Sequence, residues 1–236
     1  MRFPPLALAA ILMLATSAQA NETVIRKTLS SQFPGAQISS IVKTPYSGLF
    51  EVYLDGQLVY VDAKAQYVFT GDVIDLKNRR NLTQERLNKL QAVDWKSLPL
   101  GNALKTVKGN GARKLVVFSD VDCPYCRKFE AELTKVDNIT VYTFLYPIEG
   151  LHPKALQTSK QIWCAPDRNK AWNDYITTGA VPNNDGKCNN PVDETVALGA
   201  KLKVSGTPTL IFADGQRVPG MVPAAQLERL LAVHAR

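Results

Sequence analysis

A strand-like stretch followed at once by two cysteines and a helix limits the possible folds of this chain more than any other feature. Residues 115–118 (Leu-Val-Val-Phe) form an apolar run, and Cys123 and Cys126 come shortly after it. Apolar residues then recur at helical spacing, at Cys126, Phe129 and Leu133. Because the pattern changes from strand to helix at the thiol pair, it predicts a redox site at the beginning of a helix.

The spacing also predicts different roles for the two thiols. Cys123 is expected at the N-cap of the helix, with Pro124 at the first helical position, where the missing N–H of proline costs nothing. The unpaired N–H groups and the dipole of a helix N-terminus favour a thiolate over a thiol. Cys123 is therefore the predicted nucleophile and Cys126, one turn deeper, the predicted resolving thiol. Pro124 and Tyr125 complete the active-site motif.

Two other kinds of site can carry two cysteines at this spacing. A structural disulfide would close a very short loop, which suits thiol–disulfide exchange better than cross-linking. Half of a zinc site would need two more ligands. The remaining histidines and cysteines include no second close pair; they are His152, His234, Cys164 and Cys188. We therefore expect exchange chemistry, with no metal and no organic cofactor.

The first 20 residues are typical of a cleaved secretory signal peptide. Arg2 precedes an apolar run at residues 6–15, and Ala18-Gln19-Ala20 forms a small-residue cleavage site. No other stretch reaches the roughly 20 apolar residues that a membrane span requires. The sequence thus predicts export, into a bacterial periplasm where disulfides persist. The formal net charge is +7, but the basic residues are spread out, so nucleic-acid binding is not expected.

Residues 21–80 are predicted to form an α+β N-terminal domain, with one helix at residues 21–33 and a small antiparallel sheet. Asp55-Gly56 between two strand-like runs is a strong signal for a two-residue hairpin. So short a domain has a thin core, and an exposed sheet edge would suit pairing with a second copy. We therefore interpret it as a homodimerisation domain, although a self-sufficient domain fits the sequence equally well.

Residues 81–98 are predicted to form a helical linker over residues 82–93, in which Asn81 and Gln84 resemble a capping box. Residues 99–236 alternate strands and helices, interrupted by a helical insertion at residues 151–179. This pattern predicts an α/β catalytic domain of three layers around a mixed sheet. Asn190-Pro191 is expected to begin one of its later helices, with Asn as the cap.

The second pair of cysteines is predicted to be structural. Cys164 and Cys188 are 24 positions apart, and an oxidising compartment favours their disulfide. Closing a loop of this size stabilises the fold by about 3–4 kcal/mol in the chain-entropy model. The alternative is a second exchange site, but neither cysteine has a partner at close spacing or an evident helix N-terminus.

Thr207-Pro208 precedes a short apolar strand. In thioredoxin-like folds a cis proline at such a position faces the redox pair. If this chain has that fold, the backbone at Thr207 can pair with an extended substrate beside Cys123, which makes Thr207 and Pro208 predicted substrate-binding residues. The alternative is an ordinary proline at the start of a strand.

Taken together, these motifs resemble the DsbC family of periplasmic protein disulfide isomerases. The resemblance covers nearly the whole chain after residue 20. Its most specific parts are Phe-Ser-Asp-Val-Asp-Cys-Pro-Tyr-Cys (118–126), Ile-Trp-Cys-Ala-Pro-Asp-Arg-Asn-Lys-Ala (162–171), Leu198-Gly199, Gly-Thr-Pro (206–208) and Val-Pro-Gly (218–220). It implies a thioredoxin-like catalytic domain and a V-shaped homodimer kept reduced by the membrane protein DsbD.

One residue departs from that pattern. Pro124 stands where glycine is typical of the best-known members, and Cys-Pro-Tyr-Cys is also seen in the related DsbG branch. The Cys164 and Cys188 pair, which DsbG-like chains tend to lack, points back to DsbC. The resemblance therefore implies an isomerase or reductase of misfolded exported proteins. The alternatives are a DsbG-like reductase of sulfenylated cysteines with chaperone activity, a monomeric DsbA-like oxidant, and a holdase whose thiols are incidental.

Overall fold

The computed structural model describes the backbone of residues 9–234 and the side chains of residues 21–234. The predicted signal peptide at residues 1–20 therefore lies outside the described side chains. Contacts within the chain divide it into two compact units, one up to Gln91 and one from Ala92 onward. Within the described range, no helix is both long enough and apolar enough to cross a membrane.

The first unit is a helix beside a small antiparallel sheet, as predicted. Helix α1 (Ala9–Gln32) precedes a sheet with the order β1-β2-β3-β4, formed by β1 (Ile38–Lys43), β2 (Phe50–Leu54), β3 (Gln57–Val61) and β4 (Val68–Phe69). Ile25 and Leu29 of α1 are buried against Phe50 and Val52 of β2 and Val61 of β3. This single apolar cluster forms the core of the unit.

The predicted hairpin at Asp55-Gly56 is present and joins β2 to β3. Both residues have positive φ, 49° for Asp55 and 86° for Gly56, which matches the right-handed twist of the two strands. Residues 67–76 read as one strand in the sequence, but the structure does not form a single strand there. The segment consists of β4 and β5 (Ile74–Asp75), separated by Gly71 at φ 113°, and β5 pairs with β6 (Arg80–Asn81).

Helix α2 (Leu82–Leu90) is capped as the sequence predicts, because the Asn81 side chain accepts a hydrogen bond from the Gln84 N–H at 2.8 Å. The helix ends before the predicted Val93. The Val93 N–H instead donates to the carbonyl of Gly215 at 2.9 Å, so Val93 belongs to the second unit. Arg86 of α2 pairs with Glu51 of β2 at 2.6 Å, and this ion pair fixes α2 on the first unit.

The second unit contains a five-stranded mixed sheet with helices on both faces. Short 3₁₀ turns at Trp95–Ser97 and Leu100–Asn102 precede it. Its strands are β7 (Leu104–Lys108), β8 (Arg113–Ser119), β9 (Ile139–Leu145), β10 (Thr209–Phe212) and β11 (Arg217–Pro219). Its helices are α3 (Pro124–Leu133), α4 (Ala155–Trp163), α5 (Arg168–Thr178), α6 (Val192–Lys201) and α7 (Ala224–His234).

The predicted three layers follow from alternation along β8. Leu115 and Val117 pack against residues of α3 and α7 on one face of the sheet, whereas Val116 and Phe118 pack against residues around α6 on the other. Successive residues of a strand point to opposite faces, so a strand that is apolar throughout needs cover on both sides. The predicted architecture, an α+β unit followed by an α/β unit with a helical insertion, is confirmed.

Gly109-Asn110-Gly111 lies between β7 and β8, but these two strands are not neighbours in the sheet, because its order is β11-β10-β8-β9-β7 and β9 lies between them. One local prediction was wrong in detail. Helix α6 begins at Val192, with Pro191 rather than Asn190 at the cap position. The Asn190 side chain accepts a bond from the Val192 N–H at 3.3 Å and thereby holds the turn that precedes the helix.

Candidate functional site

The thiol pair lies where β8 ends and α3 begins. Cys123 is the N-cap residue, with extended backbone (φ −71°, ψ 121°), and Pro124 occupies the first helical position. The Cys123 N–H donates to the carbonyl of Asp120 at 3.2 Å, and the Cys123 carbonyl accepts from the Cys126 N–H at 3.1 Å. The strand end and the first turn thus hold Cys123 at the positive end of the helix dipole.

The Cys123 sulfur faces the loop before β10. Its Sγ lies 3.4 Å from the carbonyl oxygen of Thr207, and the peptide bond between Thr207 and Pro208 is cis. Cys123 and Cys126 are both unbridged thiols. Cys123 is 6% exposed, whereas the neighbouring Tyr125 is 58% exposed. The structure therefore brings together the motif residues and the two residues predicted to bind substrate.

The second thiol is more deeply placed. Cys126 is fully buried, and burial raises its pKa to about 12 because the thiolate would lose its hydration. The side-chain hydroxyls of Ser119 and Thr207 oppose this increase, while the charge of the Cys123 sulfur adds to it. The two sulfurs therefore differ in accessibility, and Cys126 stays a protonated thiol until something activates it.

A buried carboxylate braces the loop between β8 and the thiols. Asp120 is fully buried and accepts hydrogen bonds from the N–H of Asp122 at 2.9 Å and the N–H of Ile148 at 2.7 Å. Nδ1 of His152 lies 3.0 Å from the same carboxylate. Ile148 and His152, which follow β9, are thereby joined to Asp120, whose carbonyl accepts from the Cys123 N–H. Asp120 and His152 therefore help to position Cys123.

A second set of polar contacts lies beside the first turn of α3. The hydroxyl of Tyr175 on α5 donates to the carboxylate of Asp122, and the Arg127 guanidinium lies 5.4 Å from the centre of the Tyr175 ring. Burial and the bond to Asp122 both raise the pKa of Tyr175. On the exposed side, the Lys128 ammonium lies 5.3 Å from the Tyr125 ring. The two contacts of Tyr175 connect the start of α3 to the helical insertion.

The remaining two cysteines form a disulfide with each other, as predicted. Cys164, which follows α4, is bonded to Cys188 in the loop before α6, with 5.6 Å between their Cα atoms. The same loop is held by reciprocal amide contacts, in which Gln161 donates to the Asn184 carbonyl at 2.7 Å and Asn184 donates to the Gln161 carbonyl at 2.9 Å. The bond thus links the end of α4 to the loop before α6.

Several residues of the site were missed by sequence reasoning. Asp120 and Asp122 were visible only as two acids before the motif, and nothing nearby in the sequence indicated their partners His152 and Tyr175. Among the described side chains, no cluster of three or more histidine, cysteine or acidic residues has the geometry to hold a metal ion.

Comparison with known proteins places both units in known families. A disulfide bond isomerase N-terminal domain matches residues 16–84, and a thioredoxin-like domain matches residues 100–234. A probable thiol:disulfide interchange protein DsbC of Bordetella pertussis is 42% identical over 207 residues, covering 88% of this chain and 73% of that protein. The thiol:disulfide interchange protein DsbC of Escherichia coli K12 is 29% identical, covering 93% of this chain and 91% of that protein.

The solved structures include a similar protein. A disulfide interchange protein from Neisseria gonorrhoeae has a TM-score of 0.57 and 44% sequence identity, covering 59% of this chain and 99% of that chain.

Proposed function

This chain belongs to the DsbC family of thiol:disulfide interchange proteins, and from that premise we propose that it rearranges incorrect disulfides in exported proteins through Cys123-Pro124-Tyr125-Cys126. The observation that carries the proposal is the position of Cys123. Cys123 is the N-cap residue of α3, and its sulfur lies 3.4 Å from the backbone carbonyl of Thr207. A nucleophilic sulfur and a stretch of backbone able to pair with an extended chain are thus adjacent.

In the proposed reaction, the Cys123 thiolate attacks one sulfur of a substrate disulfide. The substrate S–S bond breaks, a mixed disulfide with Cys123 forms, and the departing substrate thiolate takes a proton from solvent. Another substrate thiolate can then attack the mixed disulfide and release Cys123 unchanged. The substrate has then exchanged one disulfide for another, with no net oxidation or reduction.

The resolving thiol provides a second outcome. Cys126 loses its proton and attacks the Cys123 sulfur, which releases a reduced substrate and leaves a Cys123–Cys126 disulfide. Because burial raises the pKa of Cys126 to about 12, this step is slow unless the proton is removed locally. A slow resolving step leaves time for rearrangement, which supports the isomerase proposal. Two electrons from a DsbD-like membrane reductant would return the pair to thiols.

The decisive experiment traps the mixed disulfide. Cys126→Ala removes the resolving thiol, so substrates are expected to accumulate covalently on Cys123 and to be released by reductant. Cys123→Ser is the matched control and should yield no adducts. A Cys126→Ala variant without reductant-sensitive adducts would contradict the proposed nucleophile.

Pro124 favours one alternative. Since Cys-Pro-Tyr-Cys resembles the DsbG branch, the same thiols could reduce sulfenylated cysteines, with chaperone activity alongside. Turnover of a scrambled disulfide protein should exceed turnover of a sulfenic-acid substrate if the isomerase proposal is right. Alkylation of Cys123 and Cys126 in cells distinguishes the isomerase and reductase proposals from a DsbA-like oxidant. In isomerases and reductases the two active-site cysteines are kept mostly as thiols.

The first unit is proposed to form a homodimer. β4 lies at the edge of its sheet, and the adjoining side chains of Tyr67, Val68 and Phe69 are 66%, 43% and 49% exposed. An edge strand with exposed apolar residues can pair with a second copy. Phe69→Lys should shift the protein toward monomer in sedimentation experiments, whereas Leu151→Lys, at an exposed position of the second unit, should not.

The compartment is proposed from the sequence. The signal-like residues 1–20 and the Cys164–Cys188 disulfide are both compatible with the periplasm, where such a bond persists. Fractionation of cells that express the full chain tests this. Recovery in the cytoplasmic fraction, with residues 1–20 retained, would contradict it.

A further inference from the structure

A cavity of about 330 Å³ lies between α3 and α5, over β7 and β9. Its inner wall is formed by the buried residues Leu133, Val141, Thr143 and Trp172. Its rim is formed by exposed polar residues, among them Thr106, Asn169 and Asn173. Neither cysteine of the redox pair lines it. The volume is at the lower end of the range of small-molecule sites, so the cavity suits a small ligand group.

Glu130 contributes to this cavity a carboxylate of which one oxygen, Oε1, has no hydrogen-bond partner. Although part of the residue is accessible, its Oε1 is buried and makes no hydrogen bond. Burial raises the pKa of Glu130 to about 7, and hydrogen bonding by Trp172 opposes only part of that increase. A buried polar atom that lacks a partner costs free energy, and native proteins seldom keep one without a reason.

The nearby cation does not neutralise this carboxylate. Lys108 on β7 is the other titratable residue lining the cavity. Its ammonium donates to the carbonyl oxygens of Leu133 at 3.0 Å, Thr134 at 2.8 Å and Val136 at 2.5 Å. All three donors of an ammonium group are thereby used. Glu130 is left as an acceptor in a largely apolar cavity.

We propose that this cavity binds a small aliphatic ammonium group, with the charge on Oε1 of Glu130 and the carbon chain against Trp172 and Leu133. An ionised carboxylate only accepts hydrogen bonds, so it selects a donor with positive charge. The ring of Trp172 adds a cation–π surface, and the aliphatic wall covers the methylene groups. The ammonium can belong to a free amine or to a lysine side chain of another protein.

Such binding is linked to the protonation of Glu130. A cation binds the ionised carboxylate, so below the pKa of about 7 binding must release a proton. Glu130 on α3 and Lys108 on β7 are the titratable groups facing the cavity; β9 and α5 contribute Val141, Thr143, Asn169, Trp172 and Asn173. The affinity should therefore rise by up to about tenfold per pH unit below pH 7 and level off above it.

The test is a titration of the full chain with n-butylammonium. Binding is measured by calorimetry and by the shift of the Trp172 indole N–H resonance in NMR spectra. n-Butanol is the neutral probe of similar shape. We expect millimolar binding of butylammonium that tightens at least tenfold between about pH 5.5 and about pH 8. Equal binding of butanol, or an unchanged Trp172 resonance during the butylammonium titration, would overturn the proposal.

Two variants test the role of the carboxylate. Glu130→Gln should weaken binding at least tenfold at about pH 8, whereas Glu149→Gln, at an exposed loop carboxylate, should leave it unchanged. Asn173→Lys adds a competing ammonium at the exposed rim without altering a buried group, and it should also weaken binding at least tenfold. If Glu130→Gln or Asn173→Lys binds butylammonium as the wild type does, the proposal is wrong.

Short peptides distinguish the two sources of the ammonium. A tripeptide with a central lysine is compared with its norleucine analogue. Tighter binding of the lysine peptide than of butylammonium would identify a protein side chain as the ligand, and binding of butylammonium alone would identify a free amine. Equal binding of the norleucine and lysine peptides would contradict the ammonium site.

Discussion

The Sγ of Cys123 lies 3.4 Å from the carbonyl oxygen of Thr207, although the two residues are 84 positions apart. One is at the start of α3 and the other precedes β10, and the pairing of β8 with β10 brings them together. A substrate chain that pairs with the backbone at Thr207 would present its disulfide directly to Cys123.

The buried thiol should resist ionisation. In a Cys123→Ser variant, no thiolate absorbance is expected to develop through the neutral range, because burial raises the pKa of Cys126 to about 12. The substitution also removes the charge of the Cys123 sulfur, but burial, which is the largest cause of the raised pKa of Cys126, remains. Ultraviolet absorbance against pH measures this. An ionisation near neutrality in this variant would contradict the assigned burial of Cys126.

Two hydroxyls should control the resolving step. The hydroxyls of Ser119 and Thr207 lower the pKa of Cys126 against the effect of its burial. Ser119→Ala and Thr207→Val should therefore raise that pKa and lengthen the lifetime of the mixed disulfide, while the rate of its formation at Cys123 changes less. Quenched-flow measurement of both steps tests this. Thr195→Val, at a buried threonine on α6, is the control and should affect neither rate.

The bracing carboxylate should matter more than its histidine partner. Asp120→Ala leaves the N–H groups of Asp122 and Ile148 without their acceptor. At about 1–3 kcal/mol for each unsatisfied buried group, the free energy of unfolding should fall by about 3 kcal/mol or more. His152→Ala removes one contact and should cost about 1 kcal/mol. Urea denaturation of both variants measures the difference, and equal losses would be inconsistent with this ordering.

The Cys164–Cys188 bond should stabilise the fold without taking part in exchange. The double substitution Cys164→Ser and Cys188→Ser opens a loop with a sequence separation of 24 residues. We expect a loss of about 3–4 kcal/mol in the free energy of unfolding, with trapping of substrates on Cys123 retained. The pair Cys123→Ser and Cys126→Ser should show the opposite pattern. Loss of trapping in a folded Cys164/Cys188 variant would assign the second pair to the chemistry.

Glu130 should make stability depend on pH. Its pKa is raised from 4.5 to about 7, so between these values the folded state keeps a proton that the unfolded state has released. Rising pH then favours unfolding, and stability should fall by up to about 3 kcal/mol across this range and level off above it. The difference between wild type and Glu130→Gln isolates the effect. Parallel curves for the two proteins would exclude an ionisable, buried Glu130.

The redox motif was predictable because its signals are local. The change from strand to helix pattern, the N-cap position of Cys123 and Pro124 at the first helical position are all properties of about ten consecutive residues. The hairpin at Asp55-Gly56 and the cap at Asn81 were predicted for the same reason. Predictions were weaker at element ends, as at Val93 and Asn190, because contacts with other segments decide where those elements begin and end.

By itself, the amino-acid order determined which residues form strands and helices, and that Cys123 begins a helix while Cys126 is buried one turn later. The tertiary structure decided what surrounds them. Insertion of β9 between β7 and β8 creates the cavity beside Glu130, and packing of distant segments sets His152 against Asp120 and Thr207 against Cys123. Local spacing governs hydrogen bonds along the backbone, whereas these contacts depend on the order of the strands, which no single stretch encodes.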